Sequence, residues 1–128
     1  MKQGKVITQV EPGKKNIFYY KDDMLHRDNG PAAIYHNGTR TWYKDGKKHR
    51  VGEPAHIWNN GNIEWFFEGL RHCETGPALI FPGRKEEYYL MDVQYSKEDF
   101  EHAVMKWQLN QKLQAEFEPK PVTKKPKI

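Results

Sequence analysis

Aromatic, apolar and turn-forming residues recur along this chain at a fixed interval of 23 positions. Stepping by that interval aligns His26, His49 and His72, then Pro31, Pro54 and Pro77, then Ala32, Ala55 and Ala78, then Ile34, Ile57 and Ile80. Tyr35, Trp58 and Phe81 form an aromatic column, Tyr19, Trp42, Trp65 and Tyr88 another, and Tyr20, Tyr43, Phe66 and Tyr89 a third. Self-similarity at one period marks an architecture of stacked units. The units run over 19–41, 42–64 and 65–87, with a half unit from Tyr88.

Each unit reads as two short strands. Asn37-Gly38, Asn60-Gly61, Asp45-Gly46 and Glu68-Gly69 are turn pairs in which glycine supplies a positive φ. Segments rich in β-branched and aromatic residues, such as 62–67, lie between them. Turn signals at this spacing predict an antiparallel meander. Val6 to Val10, followed by Pro12-Gly13, matches the pattern of Ile80 to Gly83 and predicts a leading strand.

After Tyr95 the period changes to that of a helix. Ser96 is an N-cap with Asp99 at the capping-box position. Phe100, Val104 and Trp107 make one stripe. Met105, Leu109, Leu113 and Phe117 make a second, about 140–260° around the helix from Phe100. One helix on one sheet uses one stripe. The second calls for a homodimer, a partner groove, or a bend at Asn110 that wraps the helix onto the body. The expected class is mainly β: an antiparallel meander of tandem hairpins, one C-terminal α-helix and a disordered basic tail. The divisions are a basic N-terminal arm with its leading strand over 1–18, the sheet over 19–95, the helix over 96–117 and the tail over 118–128.

The 128 residues, 37% hydrophobic and 30% charged, allow one domain with a modest core. There is no apolar run of membrane-span length and no signal-peptide core behind Met1. Cys73 is the only cysteine, which excludes an internal disulfide and a Cys-rich zinc module. A cytoplasmic protein is expected. The net charge of +4 is unevenly spread: residues 1–16 and 118–128 carry +3 each, which leaves −2 for 17–117. A slightly acidic body is a poor track for a phosphate backbone, although the arms give weak, salt-sensitive attraction to nucleic acid.

The period, the Gly46 to His49 segment and the spacing of aromatics to glycines resemble MORN repeats. His26 to Ala32 fits a divergent His-Arg-x-x-Gly-Pro-Ala form of them. Such repeats are similar to those of small phage and large-virus proteins and of bacterial MORN-type antitoxins. The likeness covers about residues 15–100 and implies architecture far more than activity. Three positions depart from it: Glu53 for glycine, Cys73 for arginine and Arg84 for glycine.

Geometry limits the chemistry of the columns. Two strands per unit separate equivalent residues by about 9–10 Å. Two imidazoles on one zinc need nitrogens within about 4 Å. His26, His49 and His72 are therefore expected to bond turn backbones, with no metal and no cofactor. Rings one unit apart are expected to lie too far apart to touch directly. Strand alternation places large rings on both faces, one covered and one presented to a partner. The residues expected to bind a partner are Tyr35, Trp58, Phe81, Trp42 and Trp65 on the sheet and Met105, Leu109 and Leu113 on the helix.

No catalytic residue is assigned. Ser96 caps, His72 and Cys73 alternate in direction, and Glu64, Glu68, Glu86 and Glu87 read as surface charge. The expectation is a non-enzymatic protein that binds a host or cognate protein. The resemblance adds the class of a small phage-type inhibitor, counter-defence or antitoxin-like. The alternative is a single-stranded RNA- or DNA-binding protein that stacks bases on its rings and tracks phosphate with Lys120, Lys124, Lys125 and Lys127.

Overall fold

The computed structural model describes residues 1–117, and the expected tail over 118–128, with its four lysines, lies outside them. The fold is mainly β, with antiparallel sheets and one helix. Strands β1 (Gly4–Glu11) and β2 (Lys14–Lys21) form a long hairpin around Gly13, whose φ is +80°. The leading strand is thus longer than Val6 to Val10, and its partner crosses the 18/19 division read from the sequence.

The remaining strands are two or three residues long and follow in chain order as β3 (Met24–Leu25), β4 (Ala33–Ile34), β5 (Arg40–Thr41), β6 (Tyr43–Lys44), β7 (Lys47–Lys48), β8 (His56–Ile57), β9 (Ile63–Glu64), β10 (Phe66–Phe67), β11 (Leu70–Arg71), β12 (Leu79–Ile80), β13 (Tyr88–Leu90) and β14 (Val93–Tyr95). The second unit therefore holds four strands, and the third holds three and the bridge at Glu87, where two are expected. The main sheet runs β1-β2-β4-β5-β8-β9-β12, with β3 paired to β2. The pairs β6–β7, β10–β11 and β13–β14 are separate hairpins. The chain leaves the main sheet at Trp42, whose N–H donates to the carbonyl of Ala55 while its own carbonyl accepts from the His49 N–H. Trp65 repeats this with Ala78 and His72.

Register assigns the two faces. Phe18, Ala33, Thr41, His56, Glu64, Leu79 and Glu87 are aligned across the main sheet on the face that the hairpins cover. Arg71 of β11 reaches down to Glu64 at 3.3 Å, and Gln94 of β14 to Glu87 at 3.3 Å. Ile17, Ile34, Arg40, Ile57, Ile63 and Ile80 make the adjacent row on the opposite face. The core is narrow and built of small side chains: Ala32, Ala33, Ala55 and Ala78 are completely buried.

Four two-residue turns close the hairpins: Asp22-Asp23, Asp45-Gly46, Glu68-Gly69 and Met91-Asp92, all with φ between 46° and 85°. Positive φ at both central positions defines the type I′ turn, whose twist suits short hairpins. Asn37-Gly38 and Asn60-Gly61 sit in wider loops, with Gly38 at φ +92° and Gly61 at +91°. In the third unit Arg84 takes the glycine column. There the left-handed position moves back to Gly83 (φ +82°), and the Arg84 N–H donates to the Phe81 carbonyl across Pro82-Gly83.

Helix α1 (Lys97–Phe117) begins where a fourth unit would place its loop. The Ser96 Oγ accepts from the Asp99 N–H at 3.2 Å, as the capping pattern requires. Phe100 is buried against Tyr88, with ring centroids 4.8 Å apart. Further along, Trp107 lies 4.7 Å from the His72 ring and Gln108 donates to Glu74 at 3.0 Å. The helix is unbroken through Asn110 and does not wrap onto the body. It runs on to Phe117 with every residue from Gln108 exposed.

Candidate protein-binding surfaces

The repeated signature residues hold the units together. The Asp45 N–H donates to His26 Nδ1 at 3.0 Å, the Glu68 N–H to His49 Nδ1 at 2.9 Å and the Met91 N–H to His72 Nδ1 at 3.0 Å. Each histidine thus caps the left-handed turn of the following unit. The next turn residue, at Gly46, Gly69 and Asp92, donates to the carbonyl of Leu25, Lys48 and Arg71. With Nδ1 accepting, the ring proton sits on Nε2. From there His26 donates to Asp28 at 2.8 Å and His72 to Glu74 at 3.2 Å. At the equivalent place after His49 stands Val51, 76% exposed. Burial, aided by Lys44 and opposed by Glu68, lowers the His49 pKa below the usual imidazole range. Among the described residues no three His, Cys, Asp or Glu side chains gather as a metal would need.

Arginine completes the signature in the first two units. The Arg27 guanidinium lies 3.9 Å over Tyr19 and donates to the Pro31 carbonyl. Arg50 lies 3.9 Å over Trp42 and donates to the Pro54 carbonyl. A Cβ on Gly30 would come within 2.9 Å of the Arg27 guanidinium, so the bare backbone there admits the arginine. The second unit has Glu53 instead, and its carboxylate pairs with Arg50. In the third unit Cys73 is buried with Ala78, Leu79 and Tyr89, and both Trp65 and Phe81 pack on that cluster.

These contacts locate the sheet residues expected to bind a partner. Trp42 and Trp65 belong to the inter-unit packing, on the side of the arginines and Cys73. Tyr35, Trp58 and Phe81 each stand one residue past a main-sheet strand. There Tyr35 meets Phe18 at 5.7 Å, and Trp58 meets Phe81 at 5.5 Å in an edge-to-face pair. The structure therefore brings Trp58 and Phe81 together, places Tyr35 on Phe18 instead, and sets Phe81 on the same buried cluster as Trp65. The contact of Trp58 with Phe81 corrects the expectation that rings one unit apart cannot touch. Both residues stand just past the ends of their strands, where the pleat no longer holds side chains upright, and they lean together.

Trp58 also lies on the His56 ring at 3.8 Å. Burial and then Lys48 push the His56 pKa down to about 4. Its Nδ1 faces Thr41 Oγ1 at 3.4 Å, while its buried Nε2 has no hydrogen-bond partner. The carboxylates have structural partners: Glu64 holds Arg71, and Glu87 accepts from the Tyr89 hydroxyl at 2.9 Å. Burial first, with that bond to Glu87 adding, raises the Tyr89 pKa.

The helix residues read from the sequence form the most exposed apolar feature. Met105 is 65% exposed, Leu109 56%, Leu113 41% and Phe117 82%, on the side of α1 opposite Phe100 and Trp107. Sequence reasoning missed the polar tie between Gln108 and Glu74, which no periodicity announces. No helix among the described residues is long and apolar enough to cross a membrane. Comparison with protein families, with curated proteins and with solved structures returned no match to this chain.

Proposed function

We propose that this protein is a non-enzymatic protein-binding module: a tandem array of MORN-like hairpin units that displays a helix to a partner. One observation carries the reading, the exposed stripe Met105, Leu109, Leu113 and Phe117 on a helix whose other stripe is docked. Folded monomers rarely leave contiguous apolar patches of more than a few hundred Å² without a use for them. The Tyr35, Trp58 and Phe81 row offers a second, flatter contact. The class of small phage-type inhibitor, cytoplasmic and aimed at a host or cognate protein, rests on the resemblance of the repeat alone. A nucleic-acid reading needs open ring faces, whereas Trp42 carries a guanidinium at 3.9 Å and Trp58 is packed by His56 and Phe81.

The test uses the full chain as bait in lysate, beside Leu109→Lys/Leu113→Lys and a control, Gln111→Lys. The double variant should lose its saturable partner by at least about tenfold, with unfolding free energy unchanged within about 0.5 kcal/mol. A partner bound equally by all three baits would overturn the role of the stripe.

A further inference from the structure

The main sheet has two open edges of opposite character. On one side lies β1, eight residues long, with only Val6 half-buried and with Ile7 52% and Val10 48% exposed. Its irregularity falls between Gln9 and Glu11, so Gly4 to Thr8 remains regular and able to pair. An edge of this length invites another strand unless it is blocked, and Lys5 is the sole lysine within it.

The other edge lies beyond β12. In the first two units β5 and β9 each receive the first main-sheet strand of the next unit, β8 and β12. In the third unit Glu87 bridges back to Leu79, but the chain that would supply the next strand has become α1. What remains beside it is an open groove of about 500 Å³, bounded by 84–88 on one side and 94–98 on the other.

Charge selects what fills it. Residues 1–50 carry eleven Lys and Arg against five Asp and Glu, a net of +6. Residues 51–117 carry six against eleven, a net of −5, and 118–128 add +3, so this half of the chain totals −2. Because strand order follows chain order, these excesses lie at opposite ends of the sheet. Joining unlike ends is favoured and joining like ends is opposed.

We propose that molecules of this chain associate head to tail, β1 of one adding beside the 84–88 segment of the next. An antiparallel register with Lys5 opposite Glu86 sets unlike charges as cross-strand neighbours. It also keeps Ile7 on the face of the row that runs from Ile17 to Ile80. The groove itself is mixed, with Arg84, Lys85 and Lys97 beside Glu86, Glu87 and Glu98. The polarity of the contact therefore comes from the whole molecule, and its register from the facing pair. Such a contact does not close on itself in a dimer and gives chains or rings.

Sedimentation velocity of the full chain over a wide concentration range, at low and high salt, tests this. Expected are species that grow with concentration and shrink with salt. Lys5→Glu and Glu86→Lys should each weaken association about tenfold. Lys5→Glu combined with Glu86→Lys should restore it, and Leu109→Lys should leave it unchanged. A monomer at every concentration would overturn the proposal. So would a closed dimer abolished by Leu109→Lys, which would place self-association on the helix, or growth that appears only on adding a single-stranded oligonucleotide.

Discussion

The loops that follow His49 and His72 answer the same packing problem with different chemistry. After His49, Arg50 spreads over Trp42 and ties down Pro54, while Val51 stands where the other units have the carboxylate that accepts from Nε2. After His72, Cys73 is buried, Glu74 accepts from the ring, and the helix adds Trp107 and Gln108. An interior junction can rest on one guanidinium because another unit follows it. The terminal junction has no successor, and a helix supplies the missing cover. Repeat arrays generally need such a cap.

The largest difference between the two should appear at the histidines. His72→Ala removes a bond to a strained turn, a bond to Glu74 and the surface under Trp107, and should cost about 2–4 kcal/mol. His49→Ala removes the turn bond and the contact with Phe67, and should cost about half as much. Urea denaturation of the two variants sharpens the comparison, and equal losses would break it. Arg50→Ala comes next, at about 1–2 kcal/mol, for loss of the ring contact and the bond to Pro54. The matching loss at Cys73→Ala should be about 1 kcal/mol, a difference that thermal melts resolve.

The smallest expected effect is one of pH, at His56. Its folded pKa lies below that of the unfolded chain. Its contribution is therefore fully present above about pH 6.5 and is lost as pH falls towards about 4. His49, shifted in the same direction, adds to that loss. Replacing His56 with Gln should flatten the decline in urea midpoint between pH 6.5 and 4, and an unchanged slope would assign it elsewhere.

Much of the fold was legible because its causes are local. The turn glycines, the Ser96 cap and the two helix stripes depend on near neighbours in sequence. The turn at Met91-Asp92 was hidden because it contains no glycine, and its left-handed backbone is held by the His72 ring from 19 positions earlier. The division of each unit between a main sheet and side hairpins was hidden for a similar reason, since the break at Trp42 follows from its bonds to Ala55 and His49. Of the candidate surface, the helix stripe was legible from periodicity. The pairing of Trp58 with Phe81 was not, because it depends on how two units stack.

The cap that each imidazole places on the following turn gives the array a direction of dependence. A unit lends its ring forward and borrows one from behind, so truncation after any unit leaves the preceding turns with their acceptors. Removing a unit from the front deprives its successor of the group that keeps a non-glycine residue left-handed. Damage should therefore spread from the first unit towards the last, and the gathering of order should follow the same course.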